Sequence, residues 1–144
     1  MTEFNSVIAE DDEDDFFSVK EIFNEVINHP ITRVNDGIEL VDYLQASEYE
    51  PNGLQNQVLL DINMPRMDGI QALEKIEASF GLKVPVIMYS TSSDSEQMEK
   101  CKRLGAIGFV KKGSGHNKIM DFVLKTDKAL EELKMEPSKL LFIR

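Results

Sequence analysis

The chain has 144 residues, of which 42% are hydrophobic, with one cysteine and a formal net charge of −10. This length suffices for one domain with a substantial core. The single cysteine excludes an intramolecular disulfide, and the sequence lacks the cluster of Cys and His residues that a zinc site needs. The acidity argues against a general affinity for nucleic acid, and the sequence shows neither a membrane-spanning apolar run nor a signal-peptide pattern, so we expect a cytoplasmic protein.

Strand and helix patterns alternate through the first half of the chain. The segment FNSVIA (4–9) predicts a short strand that stops at an acidic run, Glu10–Asp15. Taken alone, such a run fits a solvated helix start, where acids complement the helix dipole. Apolar residues at helical spacing then predict a helix that continues to Pro30, which ends it. ITRV (31–34) predicts a second strand, and the turn at 35–37 leads into a second helix.

The second half repeats this alternation after a polar segment, 48–56, that Pro and Gly interrupt and that therefore predicts a long loop. The expected strands are 57–61, 84–90 and 107–112. A third helix is expected to begin at Asp68-Gly69. A fourth should extend from about Asp94 to Leu104, where Gly105 ends it, and a fifth from shortly before Ile119 to near Lys134. Continuous apolar runs such as VLL and VIM are typical of strands buried on both faces. The pattern predicts an α/β fold, a five-stranded parallel sheet with five helices on both faces.

Polar side chains fall at the ends of four of these five strands. Ligands of open α/β sheets bind beyond the carboxyl ends of the strands, at the topological switch point. The residues at these ends are Glu10, Asp11 and Asp12 after the first strand, Asp61 after the third, Ser90-Thr91 after the fourth and Lys111-Lys112 after the fifth. We therefore expect carboxylates, a hydroxyl and an ammonium along one edge of the sheet.

This combination favours metal-assisted phosphoryl chemistry. Clustered carboxylates repel one another unless a cation lies between them, and oxygen ligands suit Mg²⁺. A hydroxyl and a lysine can hold the remaining oxygens of a phosphoryl group, with Asp61 as the nucleophile. Each residue could instead be a helix cap or a solvated surface lysine, but four such coincidences would have to fall on one edge.

Four segments of the sequence resemble receiver domains of two-component response regulators. They are VIAEDDEDD, LLDINMPRMDG, VIMYSTS and GFVKK, and the resemblance extends from about residue 5 to residue 134. It implies a flavodoxin-like sheet with the strand order 2-1-3-4-5. It also implies a domain over residues 1–136 and a short tail, 137–144, with no output domain. The apolar tail could pack on its own domain or form a contact.

The resemblance implies a role for each acidic residue of the site. Asp61 matches the phosphoacceptor, which takes a phosphoryl group from a sensor or hybrid histidine kinase, with the phytochrome type as one candidate. Glu10 and Asp11 match the acidic pair that binds Mg²⁺ or Mn²⁺ together with Asp61 and the backbone carbonyl of Asn63. The output would be a downstream protein or a homodimer, contacted through the face of the fourth helix, fifth strand and fifth helix.

The remaining site residues include departures from the family pattern. Ser90 and Lys112 match the hydroxyl and the lysine that pair with the phosphoryl group, with serine in place of the more frequent threonine. Phe109 stands where many members have a tyrosine that rotates inward on activation. Gly113 follows Lys112 where a proline after a cis bond is usual, and a cis bond before a non-proline residue costs about 2.5–4 kcal/mol. Ser92, like Asn63, matches a position that tunes phosphate lifetime.

Three other readings remain open. A haloacid-dehalogenase-type phosphatase also uses an aspartate and Mg²⁺, but it needs an acidic residue where this chain has Asn63. A flavin-binding module on the same fold needs a phosphate-binding loop, where the acidic run would repel the phosphate. A degenerate receiver, acting only as an interaction module, is made conceivable by Phe109 and Gly113.

Overall fold

The computed structural model describes residues 4–28, 30–47, 55–80, 84–92, 94–113 and 121. Within these ranges five strands alternate with four helices. They are β1 (Phe4–Ala9), α1 (Glu13–Val26), β2 (Ile31–Val34), α2 (Gly37–Ser47), β3 (Gln55–Asp61), α3 (Gly69–Phe80), β4 (Val86–Ser90), α4 (Ser95–Arg103) and β5 (Gly108–Lys111). The predicted fifth helix, the tail 137–144 and most of the predicted loop 48–56 lie outside the described residues.

All five strands are parallel, in the order β2-β1-β3-β4-β5. This confirms the predicted fold class and strand order. The register pairs Ala9 with Leu60 and Ser90 with Lys111, near the carboxyl ends of their strands. The residues that follow the strands are therefore collected along one edge of the sheet, next to Asp61.

The sheet separates two apolar layers. Alternate residues of a strand point to opposite faces, so Leu59 packs with the α1 side while Leu60 packs with α2 and α3. Ile87 and Met88 divide in the same way on β4. Both faces of the central strands are covered, as the continuous apolar runs predicted. No helix within the described part of the chain is long and apolar enough to cross a membrane.

Helix α1 starts as predicted and ends earlier than predicted. The Asp12 carboxylate accepts a hydrogen bond from the Asp15 amide at 2.9 Å and caps its N-terminus. The helix ends at Val26 instead of continuing to Pro30. Ile27 has extended backbone angles and a buried side chain, and its amide still donates to the Phe23 carbonyl. Burial of Ile27 in the core therefore takes precedence over another helical turn.

Strand β3 begins two residues earlier than predicted. Gln55 and Asn56 were expected in the loop 48–56, but both pair with β1. The Asn5 amide donates hydrogen bonds to Asn56 Oδ1 at 3.0 Å and to the Tyr43 hydroxyl at 2.7 Å. These buried polar side chains satisfy one another, so a polar sequence can occupy an interior strand. Strands β4 and β5 are shorter than predicted, since β4 starts at residue 86 and β5 covers 108–111.

Candidate functional site

The structure brings the predicted site residues together at the carboxyl edge of the sheet. Glu10 follows β1, Asp61 ends β3 and Ser90 ends β4, and all three are buried. Lys112 directly follows β5, and its side chain is only 14% exposed. Buried polar groups need partners, so the contacts of these four side chains define the site.

The Lys112 ammonium lies among three carboxylates. Its Nζ atom donates to Glu10 Oε1 at 2.7 Å, to Asp15 Oδ2 at 3.1 Å and to Asp61 Oδ2 at 3.2 Å. Burial alone would lower the pKa of Lys112, but its hydrogen bonds to Glu10 and Asp15 outweigh that effect and raise the pKa. The lysine therefore stays charged at physiological pH.

One cation does not balance the charge of this site. Burial, together with the neighbouring Asp61, raises the pKa of Glu10 to about 8 despite the opposing effect of Lys112. The Oε2 atom of Glu10 is buried and has no hydrogen-bond partner among the described residues. The Glu10 carboxylate can therefore take up either a proton or a further cation.

Three carboxylates are arranged as a metal site would require. Glu10, Asp11 and Asp61 each offer an oxygen, and these atoms lie within 4.8 Å of one another. Asp11 is exposed, which leaves a side open to water and to a phosphoryl group. An all-oxygen set of this kind suits Mg²⁺ or Mn²⁺, and the unpartnered Glu10 oxygen fits the same conclusion. The predicted metal-binding acids are therefore suitably placed.

The loop after β3 is held close to Asp61. The Asn63 amide donates to Asp61 Oδ1 at 3.3 Å, and the Gly69 amide donates to the Ile62 carbonyl at 2.8 Å. A Cβ atom on Gly69 would lie 2.3 Å from the Asp61 carbonyl oxygen, so only glycine allows this close approach. Asn63 is exposed, and its carbonyl as a metal ligand stays a prediction.

Ser90 and Ser92 both serve the loop that leads into α4. The buried Ser90 hydroxyl accepts a hydrogen bond from the Ser92 amide at 3.1 Å, and the exposed Ser92 hydroxyl accepts from the Asp94 amide at 3.3 Å. The Lys112 amide donates to the Ser90 carbonyl at 2.6 Å. The hydroxyl of Ser90 and the lysine thus belong to adjacent, hydrogen-bonded strand ends.

Two of the three departures from the family pattern, Phe109 and Gly113, have clear positions in the structure. Phe109 is buried and packs in the layer formed with α2, α3 and α4. No peptide bond in the described ranges is cis, so the bond between Lys112 and Gly113 is trans. Gly113 has a φ of 81°, a conformation that glycine adopts without strain. The chain turns after Lys112 without a proline.

Sequence reasoning missed the third partner of Lys112. Asp15 looked like one more acid in the run 10–15, and Asp12 was grouped with the acids that follow β1. The structure assigns Asp12 to the helix cap and Asp15 to the lysine. No local pattern of the sequence marks Asp15, because its contact with Lys112 joins residues that are 97 positions apart.

Asp36 belongs to the segment 35–37, whose pattern predicts the turn and cap before α2, but sequence reasoning missed its ion pair. Its buried carboxylate accepts a hydrogen bond from the Glu39 amide at 2.9 Å, which caps α2. It also accepts from Arg66 Nε at 2.6 Å, and Arg66 lies on the loop after β3. Asp36 therefore links α2 to the loop that begins at Asp61.

A family model described as the response regulator receiver domain matches residues 7–124 of this chain. Response regulator Rcp1 of Synechocystis sp. is 32% identical over 95 residues, which cover 64% of this chain and 65% of that protein. The chain thus spans slightly less than two-thirds of the length of this curated relative. The matched range contains every predicted site residue.

Solved structures show the same architecture. The phosphorylated cyanobacterial phytochrome response regulator RcpA has a TM-score of 0.73 at 23% identity, with 94% of this chain and 99% of that chain covered. The complex CheX-CheY-BeF3-Mg from Borrelia burgdorferi has a TM-score of 0.71 at 29% identity, with 86% and 89% covered. The likeness to RcpA, at 23% identity, concerns the fold alone. The likeness to the Borrelia burgdorferi complex, at 29% identity, includes moderate sequence similarity.

Proposed function

This chain belongs to the response regulator receiver domain family, and from that premise we propose that Asp61 accepts a phosphoryl group from a sensor histidine kinase. The observation that carries the proposal is the position of Asp61 at the switch point of the sheet, 3.2 Å from Lys112 Nζ and beside two further acids. A buried carboxylate between an ammonium and a potential metal site is arranged for nucleophilic attack on phosphorus.

Glu10, Asp11 and Asp61, with the backbone carbonyl of Asn63, would hold Mg²⁺ or Mn²⁺. Bound there, the cation would neutralise charge on the phosphoryl oxygens. The metal complex of the similar CheY supports this assignment. The unpartnered Oε2 atom of Glu10 supports it independently of any relative.

In the transfer, a carboxylate oxygen of Asp61 attacks phosphorus, and the bond from phosphorus to the imidazole nitrogen of the donor histidine breaks. The electron pair of that bond leaves with the imidazole, so charge and atoms balance. Lys112 already donates to an Asp61 oxygen and would donate to a phosphoryl oxygen after the transfer. The Ser90 hydroxyl would supply a second donor once it rotates away from its role in the loop.

Phosphorylation would then change the face formed by α4, β5 and the predicted fifth helix. Changing a two-state equilibrium from 1:99 to 99:1 needs about 5.5 kcal/mol of differential stabilisation. Two or three charge-assisted hydrogen bonds, at about 1.5–3 kcal/mol each, can supply this amount. Phe109 lies on β5, and its buried side chain packs toward the helices. We expect this side chain to respond to movement of that face.

The proposed partners are proteins. Membership of the receiver family supports a sensor or hybrid histidine kinase as the donor, and we propose the phytochrome type because the chain shares its fold with the phytochrome response regulator RcpA. The output would be a downstream protein or a second copy of the chain, since a net charge of −10 disfavours nucleic acid. Asn63 and Ser92, both exposed beside the site, would tune how long the phosphoryl group persists.

A degenerate receiver that acts only as an interaction module is the second candidate. The trans bond before Gly113 and the absence of a hydroxyl on Phe109 favour it. A phosphatase is less well supported, because Asn63 cannot serve as a general acid. We expect stoichiometric labelling of Asp61 and slow turnover of acetyl phosphate, and rapid multiple turnover would favour the phosphatase.

The deciding experiment is intact-protein mass spectrometry after incubation with acetyl phosphate and Mg²⁺. We expect the wild type to gain one phosphoryl group and Asp61→Asn to gain none, with chelation of the metal by EDTA abolishing the gain. Asp68→Asn, which alters a carboxylate at the start of α3, serves as a control and should label normally. Equal labelling of the wild type and Asp61→Asn would exclude Asp61 as the acceptor.

A further inference from the structure

Asp15 occupies a position that the proposed transfer does not yet explain. It lies in the first turn of α1, and its Oδ2 atom accepts from Lys112 Nζ at 3.1 Å. The side chain of Asp15 is 47% exposed, whereas those of Lys112 and Asp61 are almost entirely buried. A half-exposed carboxylate therefore holds the Lys112 ammonium beside the buried Asp61.

We propose that Asp15 is a positioning residue, which directs the Lys112 ammonium at Asp61 and thereby sets the rate at which Asp61 is phosphorylated. This inference rests on the proposed function. Asp15 would touch neither the metal nor the phosphoryl group, and it would act only through Lys112.

The geometry of the ammonium supports this role. An ammonium has three N–H donors, and those of Lys112 point to Glu10, Asp15 and Asp61. The ring of Tyr89 closes another side, with its centroid 5.1 Å from Nζ. With two donors occupied by Glu10 and Asp15, the third has Asp61 as its partner. Without Asp15 the ammonium could rotate, and its alignment with Asp61 would be lost for part of the time.

The chain around Lys112 makes such a restraint useful. Lys112 is followed by Gly113, which has a φ of 81°, and a Cβ atom there would meet nothing within 4 Å. Gly113, with which this stretch of the described chain ends, is therefore neither conformationally restricted nor packed. Asp15, by contrast, stands on a fixed element, because its amide donates to the Asp12 cap and the adjacent Phe16 is buried. Helix α1 can therefore hold the side chain of Lys112 from a fixed position.

The exposure of Asp15 separates positioning from stability. Ion pairs with an exposed partner contribute little to folding, so removal of the Asp15 charge should leave the fold intact. The alignment of a charged donor with the reacting group, by contrast, affects the rate of the reaction directly. The effect of Asp15 should therefore appear in the rate of phosphorylation.

The test compares Asp15→Asn with Asp14→Asn. Asp14 is the adjacent residue, is exposed and lies outside the contacts of Lys112, so both variants lose one charge from the same helical turn. With acetyl phosphate and Mg²⁺, we expect Asp15→Asn to be phosphorylated about three- to tenfold more slowly than the wild type. Asp14→Asn should stay within about twofold, as expected for a surface charge.

A spectroscopic measurement distinguishes positioning from a general disturbance. In ¹⁵N NMR spectra, the Lys112 ammonium signal should shift and exchange its hydrogens faster in Asp15→Asn, and it should be unchanged in Asp14→Asn. Matching rates and spectra for the two variants would overturn the proposal, as would a shifted signal without a slower rate. If the wild type takes no phosphoryl group, the proposed function fails, and the NMR comparison then decides alone whether Asp15 holds Lys112.

Discussion

At the scale of single residues, Asp36 and Arg66 form a contact that joins two separate parts of the fold. Arg66 has a φ of 63°, a left-handed conformation that is uncommon outside glycine. Its guanidinium lies 2.6 Å from the buried Asp36 carboxylate, and the Gly37 amide donates to the Met67 carbonyl next to it. The ion pair and the backbone contact together hold the loop after β3 against the start of α2.

The pKa of Asp36 makes this contact testable. Burial raises the pKa of Asp36, but hydrogen bonds from Arg66 and the Glu39 amide outweigh burial and lower it below the ordinary value of 3.8. A lowered carboxyl pKa contributes stability that is present above the ordinary value and is lost as the pH falls through the folded-state value. The contribution should therefore be complete at neutral pH and disappear in strong acid.

We expect Asp36→Asn to unfold a few degrees below the wild type at neutral pH, because asparagine keeps the helix cap but loses the ion pair. The difference should shrink as the pH falls below about 4. Thermal unfolding followed by circular dichroism measures it. Asp42→Asn, an exposed position on α2, is the control. A difference between wild type and Asp36→Asn that persists unchanged in acid would contradict the ion-pair explanation.

The sequence was sufficient to predict which residues meet at the site wherever a strand ended in a polar residue. Asp61, Ser90 and Lys112 fall in this class, because parallel strands bring their carboxyl ends to one edge. Asp15 could not be recognised in the same way. Its contact depends on the angle at which α1 leaves β1 and on the turn after Lys112, and neither is encoded in a local pattern.

At the scale of elements, the apolar pattern located each described helix and strand, but the start of β3 and the end of α1 differ from the prediction. Gln55 and Asn56 belong to β3 because they pair with Phe4 and Asn5 of the neighbouring strand β1, which is far away in sequence. The end of α1 depends on the burial of Ile27. Both boundaries follow from tertiary contacts, which a window of local sequence does not contain.

Among the four helices that the structure describes, α4 is the least anchored to the sheet. Of its nine residues only Cys101 is buried, whereas α3 buries five of its twelve. Segments with few buried apolar contacts open with a lower free energy. Such an element can be displaced by modest changes in the loop after Ser90.

We therefore expect the backbone amides of α4 to exchange hydrogen for deuterium faster than those of α3. The buried face of α3 should give slow exchange, while α4 should exchange at intermediate rates despite its N-cap at Asp94. Hydrogen exchange measured by mass spectrometry on peptides from each helix provides the comparison. Equal protection of α3 and α4 would show that α4 is held more firmly than its burial indicates.

At the scale of the whole molecule, the acidic edge should link metal binding to global stability. A cation that binds only the folded chain adds about 2.7 kcal/mol at a concentration of 100 times its Kd. Since the pKa of Glu10 is about 8 without metal, a proton competes with the cation at lower pH. Metal binding and proton release are therefore coupled.

We expect Mg²⁺ to raise the melting temperature of the wild type, and to raise it more above pH 8 than near pH 6. Asp11→Asn should lose most of this increase, because it removes one of the three acids, while Asp14→Asn should keep it. Differential scanning calorimetry with and without Mg²⁺ measures the shift. An equal increase in both variants would mean that the cation binds elsewhere.

The contact between Glu10 and Lys112 joins residues that are 102 positions apart in the chain. Contacts of such long range form late in folding, because the intervening chain must be ordered before they close. A growing chain on the ribosome would expose Asp61 long before Lys112 is synthesised, and in that interval the aspartate has no ammonium beside it. On the proposed function, a chain that stops before β5 would lack the ammonium that faces Asp61, and we expect it to accept a phosphoryl group poorly.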